Sequence, residues 1–512
     1  MKILKKFLHI ITSRHVFCAL FIIGGLILIG LLEIYISDAV LPVLIINTIW
    51  SVITMLTIIN RDSIWETKAP WLLLVALVPA LGNLFYWTLG RRYKTFRERK
   101  FLKRVDYLTR DNGFYNEPIL EEIKQKDTLA YSKAKILSDE ANTLIFKNTE
   151  LKYLTKGIDI YNQLIDLIKN AKHYIFMEFF IVSQGKALSE VEEILISKVK
   201  EGVEVFFMYD DIGSFTALKS NYYKKLRKKG INASCFAKFN FMAVASHNNR
   251  NHRKIVVVDG DTAMTGGFNL ADEYFGFIKR FGEWKDSAVV IRGNAVEEFV
   301  REFIFDWDLN NKTKTNLNAY IKIPQDYNYD GFVIPFTTGP RPIHNQEIPK
   351  HTLLNIINQA KKYIYLTTPY LINDRESITA LANASQRGVE VIIITPHIPD
   401  KKITFMLTRS NYKPLVSAGV KIYEYTPGFI HEKMLICDDE YAVVGTINYD
   451  YRCFLHHYEN ALWIYKHPII IDMKQDFNEI IDESQLCTLP EAKLNIFSKF
   501  FVIILKIAAP FF

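Results

Sequence analysis

Two stretches of this 512-residue chain decide its fold: NHRKIVVVDGDTAMTGGFN at residues 251–269 and IHEKMLICDDEYAVVGTIN at residues 430–448. Both contain the pattern His-x-Lys-x₄-Asp, as His252, Lys254 and Asp259 in the first stretch and His431, Lys433 and Asp438 in the second. Each Asp is followed by a pair of small residues and then by an Asn, Asn269 or Asn448. One such pattern arises easily by chance, whereas two with the same sequel indicate a duplicated unit.

The paired pattern suits an anionic substrate. Side chains two apart on an extended strand point to the same face, so each His should lie beside its Lys. Two such strands facing each other would surround one anion with two imidazoles and two ammonium groups. A phosphodiester fits, because one His can attack phosphorus while the other protonates the leaving oxygen. The side chains expected to bind the non-bridging phosphate oxygens are Lys254, Asn269, Lys433 and Asn448.

The duplication extends beyond the two motifs. Residues 170–177 (NAKHYIFM) match residues 359–366 (QAKKYIYL), and KEGVEVFF matches QRGVEVII further along each half. Continuous apolar runs such as VEVFFMY and VEVIIIT are typical of strands buried on both faces, and helical segments alternate with them. The repeat predicts an α/β fold of two sandwich halves, residues 106–325 and 326–490, that form one pseudo-twofold catalytic unit.

The first half is longer than the second just before its motif. The extra residues fall in FAKFNFMAVASHNNR (236–250), which is rich in Phe and forms, with Asn251, the loop 237–251 that precedes His252. This composition makes the segment a candidate lid or lipid-facing rim. An ordinary surface loop is the alternative, and the sequence leaves both open.

The motifs resemble those of the phospholipase D superfamily and, within it, of the bacterial cardiolipin synthases, over almost the whole chain. Beyond the motif residues, the resemblance rests on segments that include DEY (272–274), WKD (284–286), TPY (368–370) and YTPGFIH (425–431). The chain departs from the family where Cys453, rather than the usual Ser, follows Arg452. It departs again at Asn373 or Asp374, where a Pro is expected.

The resemblance implies a membrane-bound phosphatidyltransferase. In such an enzyme two molecules of phosphatidylglycerol give cardiolipin and glycerol through a phosphatidyl-histidine intermediate, with His252 as the expected nucleophile and His431 as the expected acid and base. Alternatives within the superfamily are a phospholipase D-type hydrolase and another phosphatidyltransferase. A protein that only binds anionic lipid is disfavoured, because binding does not need paired histidines at matching positions.

Four carboxylates near the motifs have expected roles. Asp286 and Glu459 are candidates to hydrogen-bond the imidazoles and fix their tautomers, as the third member of a catalytic triad does. Asp259 and Asp438 belong to the predicted catalytic motifs. Each follows its Lys by five residues, however, which places it on the opposite face of the strand. We therefore expect these two residues to hydrogen-bond to turn backbone.

Composition limits the remaining classes of function. The sequence shows no P-loop, no dinucleotide fingerprint and no His/Asp/Glu cluster at metal-ligand spacing, so neither a cofactor nor a metal is predicted. The five cysteines are scattered, and Cys437 and Cys453 fit buried small hydrophobic positions. Most of the net charge of +8 lies in residues 91–104, with eight basic residues and one Glu. The nearly neutral remainder disfavours a nucleic-acid partner.

The first 105 residues form a predicted membrane anchor. Apolar runs at 16–36, 39–59 and 70–89 are candidate transmembrane helices. Basic residues stay on the cytoplasmic side, so the cluster at 91–104 places the catalytic halves in the cytoplasm of a multi-pass protein in the bacterial cell membrane. The basic N-terminus also favours the cytoplasmic side. Three spans would place it on the opposite side of the membrane from the cluster at 91–104, so both preferences cannot be met. Residues 491–512 predict an amphipathic helix lying on the bilayer or, alternatively, capping the second half. The oligomeric state is not indicated.

Overall fold

A computed structural model describes residues 40–90, 112–238, 248–322, 327–340, 343–344, 347–488 and 496–511. The chain divides into two compact units, Met1–Tyr93 and Lys94–Phe512. The first candidate span, 16–36, the basic cluster at 91–104 and most of the segment 237–251 lie outside the described residues. The expectations for them therefore remain predictions.

The first unit contains helices α1 (Val40–Ile59), α2 (Trp65–Leu77) and α3 (Pro79–Phe85), followed by a π-helical turn at Tyr86–Gly90. Helix α1 matches the predicted span 39–59 and, among the described residues, is the one helix long and apolar enough to cross a membrane. The predicted span 70–89 is not a single helix. It breaks at Val78, where the following Pro79 has no backbone N–H to continue the helical ladder. Inside the unit, Asn83 donates to Ser51 at 2.9 Å and Trp87 donates to Thr54 at 3.0 Å.

The described part of the second unit opens with a pair of helices in contact and continues into the first α/β half. Its helices are α4 (Asn112–Lys126), α5 (Thr128–Ala141), α6 (Gly157–Lys169), α7 (Lys186–Lys200), α8 (Tyr222–Arg227) and α9 (Val296–Asn311). Its strands are β1 (Glu150–Leu154), β2 (Tyr174–Phe179), β3 (Glu204–Asp210), β4 (Asn232–Phe236), β5 (Ile255–Val258), β6 (Thr262–Gly266), β7 (Glu283–Lys285) and β8 (Ala288–Arg292). Seven of these strands form one sheet in the order β1-β8-β6-β5-β2-β3-β4.

The second half repeats this arrangement. Its helices are α10 (Ile348–Ile357), α11 (Arg375–Gln386), α12 (Lys402–Ser410), α13 (Tyr412–Ser417), α14 (Tyr451–Leu455) and α15 (Ile469–Asp482), and α16 (Ile496–Ala508) follows. Its strands are β9 (Phe332–Thr338), β10 (Tyr363–Thr367), β11 (Glu390–Pro396), β12 (Lys421–Tyr425), β13 (Gly428–Ile430), β14 (Met434–Cys437), β15 (Tyr441–Gly445), β16 (Glu459–Tyr465) and β17 (Ser484–Leu486). The sheet order β9-β16-β15-β14-β10-β11-β12 reproduces that of the first half, with β17 added at the edge. The duplication seen in the sequence is thus a duplication of topology.

The two sheets share one apolar core. Side chains of α9, such as Phe303, and of α15, such as Phe477, pack between the inner faces of both sheets. Helices α6 and α7 cover the outer face of the first sheet, and α10 and α11 cover that of the second. Because the strands are covered on both faces, they are continuously apolar, as the sequence pattern predicted.

The helix pair α4–α5 departs from the expected boundary of the halves. The sequence analysis assigned it to the first half, which begins at residue 106. In the structure its apolar residues, including Leu120 and Leu137, pack in the core of the second sheet beside Phe332 and Trp463. Chain order alone suggested the first half, whereas the apolar face of the pair covers the second.

The halves are also joined beside the motifs. The short strand β13, which leads into the second motif, pairs in parallel with β7 of the first half. On the other side, Asn251 forms an isolated parallel bridge with Tyr458 of the second half. Each motif is therefore anchored to the opposite half of the chain.

Candidate active site between the two halves

The backbone positions both motif histidines by hydrogen bonds across the halves. The His252 N–H donates to the Tyr458 carbonyl at 2.9 Å, and the His431 N–H donates to the Lys285 carbonyl at 2.7 Å. Both histidines lie just before the strands β5 and β14 in extended segments. His252 is 5% exposed and His431 is 6% exposed, so protein atoms surround both imidazoles.

The carboxylates that contact the histidines are exchanged between the halves. His252 Nδ1 lies 2.9 Å from Glu459 Oε2, and His431 Nδ1 lies 2.8 Å from Asp286 Oδ2. Asp286 follows His252 in the first half and Glu459 follows His431 in the second, yet each contacts the histidine of the other half. A carboxylate accepting from Nδ1–H leaves the lone pair on Nε2, which is the form that can attack phosphorus or accept a proton.

The small residues after each motif make room for these carboxylates. A Cβ at Gly267 would lie 2.0 Å from Asp286 Oδ1, so only Gly fits beside this carboxylate. Thr446 stands at the equivalent position in the second half, and its hydroxyl donates a hydrogen bond to Glu459 Oε2. At equivalent positions, the first half thus leaves space for its carboxylate with Gly267, whereas the second half hydrogen-bonds its carboxylate with Thr446.

The two lysines bring positive charge into the same buried space. The Lys254 ammonium donates to the His252 carbonyl at 2.6 Å. The Lys433 ammonium donates to the His431 carbonyl and lies 2.9 Å from His431 Nδ1. Burial lowers the pKa of Lys254 to about 7 and that of Lys433 to about 8, although nearby carboxylates oppose the change. A bound anion would favour the charged form of both lysines.

The electrostatic environment keeps the free imidazoles neutral. Burial, followed by the charges of the neighbouring lysines, lowers the pKa of both His252 and His431 well below the usual value. Burial raises the pKa of Asp286 to about 6 against the opposing effect of Lys433. Burial also raises the pKa of Glu459, against the charge of Lys254 and a hydrogen bond from Thr446. Neutral imidazole is the protonation state that a nucleophile requires.

The two motif asparagines occupy different surroundings. Asn269 uses both ends of its amide within the protein, since Oδ1 accepts from the Ile181 N–H at 2.9 Å and Nδ2 donates to the Tyr274 hydroxyl at 2.8 Å. Asn448 Oδ1 is buried and has no hydrogen-bond partner within the described part of the chain. A phosphate oxygen only accepts hydrogen bonds, so either asparagine would contact it through Nδ2, which in Asn269 already donates to Tyr274 and in Asn448 lies in a side-chain hydrogen bond with Asp450.

The motif aspartates do not contact the imidazoles but accept hydrogen bonds from backbone N–H groups. Asp259 accepts from the N–H groups of Lys172, His173 and Tyr174, at 2.7–2.9 Å. Asp438 accepts in the same way from the corresponding segment of the second half, Lys361, Lys362 and Tyr363. These bonds fix the turns that open β2 and β10, which is the structural role expected for both residues.

Aromatic rings pack against His431. Its ring centroid is 5.3 Å from that of Tyr274, 5.5 Å from that of Trp284 and 6.0 Å from that of Phe429. His252 instead has Phe180 at 4.9 Å and the ring of His457 at 5.1 Å. The sequence analysis did not single out His457, although its place two residues before Glu459, on the same strand face, was a readable signal.

One group of side chains could hold a metal ion. His252, Cys453, His457 and Glu459 are all buried, and one potential ligand atom from each lies within 4.8 Å of the others. The sequence analysis predicted no metal because these residues have no ligand spacing along the chain. Cys453, His457 and Glu459 lie close together along the second half, and the packing of the halves adds His252 to them.

Comparison with known proteins gives a consistent result. A family model described as "Cardiolipin synthase, PLD-like domain" matches residues 164–307 and 353–481, and one described as "Phospholipase_D-nuclease N-terminal" matches residues 47–91. An uncharacterized protein of Streptococcus mutans is 36% identical over 89% of this chain and 99% of its own length. Cardiolipin synthase 2 of Bacillus anthracis is 35% identical over 81% of this chain and 80% of its own.

A solved structure supports the fold. The crystal structure of phosphatidylserine synthase from Haemophilus influenzae superposes with a TM-score of 0.56 and 17% sequence identity, covering 73% of this chain and 96% of that one. At this identity the similarity concerns the arrangement of the two α/β halves alone.

Proposed function

Because this chain belongs to the family of phospholipase D-like cardiolipin synthases, we propose that it is a phosphatidyltransferase that converts two phosphatidylglycerol molecules into cardiolipin and glycerol. The observation that carries the proposal is the pair of buried histidines, each with Nδ1 held by a carboxylate and each beside a lysine. Two such histidines provide a nucleophile and a proton carrier for transfer between two alcohols.

In the first step, Nε2 of His252 attacks the phosphorus of one phosphatidylglycerol. The P–N bond forms as the P–O bond to glycerol breaks. His431 takes up a proton when the anionic phosphate enters the site and offsets the charges of the lysines, and it donates this proton to the leaving oxygen. Asp286 supports this role, because with a pKa of about 6 it is largely ionised at neutral pH and can stabilise His431 as imidazolium. The assignment of His252 as nucleophile follows the family resemblance.

In the second step, the headgroup hydroxyl of another phosphatidylglycerol attacks the phosphatidyl-His252 intermediate. His431, now neutral, takes the proton of this hydroxyl, and the P–N bond breaks to release cardiolipin. Lys254 and Lys433 stabilise the non-bridging oxygens in both steps, because the negative charge persists throughout the transfer. We assign Asn448 and Asn269 to the same oxygens, which each would contact by donating from its Nδ2 group.

Membrane attachment would bring the site to its lipid substrates. Helix α1 and the match of residues 47–91 to the N-terminal family model support membrane association. We further assign a multi-pass anchor in the cell membrane, with both catalytic halves in the cytoplasm, on the basis of the basic cluster at 91–104. Helix α16 supports contact with the bilayer surface, because Phe500 and Ile503 are 70% and 61% exposed.

The test is a product analysis that separates transfer from hydrolysis. The purified full-length protein is incubated in micelles that contain phosphatidylglycerol as the sole lipid, and cardiolipin, phosphatidic acid and glycerol are quantified. Equal amounts of cardiolipin and glycerol support the proposal. Phosphatidic acid as the main product would instead identify a hydrolase. If neither cardiolipin nor phosphatidic acid is formed, the result contradicts both activities.

A further inference from the structure

The two sides of the pseudo-twofold site differ at two equivalent positions. Counted from the shared Asn, Cys453 stands where the first half has Tyr274. His457 stands two residues before Glu459, as Trp284 stands two residues before Asp286. Tyr274 and Trp284 pack as aromatic rings against His431. Around His252, both equivalent residues are instead capable of binding a metal.

The geometry around His252 brings four such groups together. Glu459 contacts both imidazoles, with Oε2 at 2.9 Å from His252 Nδ1 and Oε1 at 3.1 Å from His457 Nδ1. Cys453 Sγ lies 3.9 Å from His457 Nδ1. In a tetrahedral site with metal–ligand bonds of about 2.0–2.3 Å, the ligand atoms lie roughly 3.3–3.8 Å apart. The ligand atoms of the four groups all lie within 4.8 Å of one another, so they need only small shifts, outward for the contacts of 2.9 and 3.1 Å and inward for the longer ones.

His457 faces Glu459 and Cys453 through Nδ1, and its other ring nitrogen is also available to a ligand. Its Nε2 is buried and has no hydrogen-bond partner within the described ranges. The residue itself is 7% exposed. A buried, unpaired ring nitrogen costs free energy unless another species contacts it. Around His431 the corresponding ring is Trp284, which cannot serve as a ligand.

We propose that His252, Cys453, His457 and Glu459 form a binding site for a thiophilic divalent cation of the Zn²⁺ class, which inhibits the protein reversibly by occupying His252. The donor set, one sulfur, two nitrogens and one oxygen, is that of a four-coordinate zinc site. Binding releases the Cys453 thiol proton to solvent as the metal–sulfur bond forms. The thiolate and the Glu459 carboxylate then balance the two positive charges of the ion.

Coordination removes the nucleophile whichever ring nitrogen of His252 is used. A metal on Nε2 blocks the attacking atom directly. A metal on Nδ1 displaces the bond to Glu459 and leaves the proton on Nε2, so no lone pair remains there to attack phosphorus. Inhibition of transfer rests on the proposed function, whereas binding of the ion does not.

The binding test uses Co²⁺ as a spectroscopic probe for the full-length protein in detergent after treatment with a chelator. We expect saturation at one equivalent, with a thiolate-to-cobalt charge-transfer band that Zn²⁺ displaces. Cys453→Ser should lose this band and His457→Trp should weaken binding, while Cys437→Ser, which removes another buried thiol of the same half, should retain both. Circular dichroism checks that each variant is folded.

The inhibition test compares each protein with its own metal-free rate of transfer. Saturating Zn²⁺ should abolish transfer by the parent protein, with recovery after addition of a chelator, and Cys453→Ser should resist. Absence of saturable binding, or a charge-transfer band that survives in Cys453→Ser, would overturn the site. Binding without inhibition would overturn its regulatory role. A protein that binds Co²⁺ but makes no cardiolipin would contradict the proposed function and leave the metal site standing.

Discussion

Replacing one orienting carboxylate should impair the histidine of the opposite half. Asp286→Asn removes the negative charge of the acceptor that lies 2.8 Å from His431 Nδ1, and Glu459→Gln removes that of the acceptor 2.9 Å from His252 Nδ1. A charge-assisted hydrogen bond contributes about 1.5–3 kcal/mol. Since about 1.4 kcal/mol corresponds to a tenfold change in rate, the step that depends on the affected histidine should slow by about 10- to 150-fold.

The two steps can be separated with a substrate that needs no acid. A phosphatidyl ester of 4-nitrophenol has a leaving group that departs without protonation, so formation of the phosphatidyl-enzyme depends on His252 alone. Rapid mixing should show a burst of one nitrophenolate per active site. Asp286→Asn should keep the burst rate of the parent and slow the later turnover, because His431 then accepts the second alcohol's proton poorly. Glu459→Gln should slow the burst itself.

A surface carboxylate serves as the matched control. Asp261 pairs with Lys322 at an exposed position, and Asp261→Asn should leave both phases unchanged. The opposite pattern, with a slow burst in Asp286→Asn and a normal burst in Glu459→Gln, would refute the exchanged pairing. It would instead indicate that each carboxylate serves the histidine of its own half.

Three further predictions follow from the same contacts. Transfer at low substrate concentration should fall below about pH 6, as Asp286 takes up a proton and loses its charge. It should also fall above about pH 7, as Lys254 and then Lys433 lose their protons; the pH profile of kcat/KM of Asp286→Asn should lack the acidic limb. Asp438→Ala leaves three backbone N–H groups unpaired and should lower the free energy of unfolding by about 1.5–4 kcal/mol in denaturant titrations, whereas the exposed Asp261→Ala should change it by less than about 1 kcal/mol. Deleting residues 1–105 should release the protein from integral membrane association, measured by alkaline extraction, and retain the circular dichroism of the folded halves; a truncated protein that is unfolded in detergent would contradict this.

Local pattern was enough to predict the strands and their duplication. Runs such as residues 203–209 and 389–395 are apolar at nearly every position because helices cover both faces of each sheet. The structural role of Asp259 and Asp438 was also readable, because side-chain direction alternates along a strand. These features depend on neighbours close in the sequence.

Contacts that arise from the packing of the two halves could not be predicted from neighbours in the sequence. Spacing along the chain relates Asp286 to His252 and Glu459 to His431. The parallel pairing of β13 with β7 instead brings Asp286 to His431, and the bridge between Asn251 and Tyr458 brings Glu459 to His252. The same packing brings Cys453 and His457 to His252. A short apolar face such as that of α5 does not specify which of two similar sheets it will cover.

The central claim is that a covalent phosphatidyl-enzyme forms on His252. Protein mixed with phosphatidylglycerol labelled in its phosphate is quenched in alkaline denaturant, which preserves a phosphorus–nitrogen bond, and the labelled peptide is sequenced by mass spectrometry. We expect label on His252 in the parent protein, retained label in His431→Ala with the labelled nitrophenyl substrate, and none in His252→Ala. Label on His431 in the parent protein, or cardiolipin formation without a labelled enzyme, would contradict the claim.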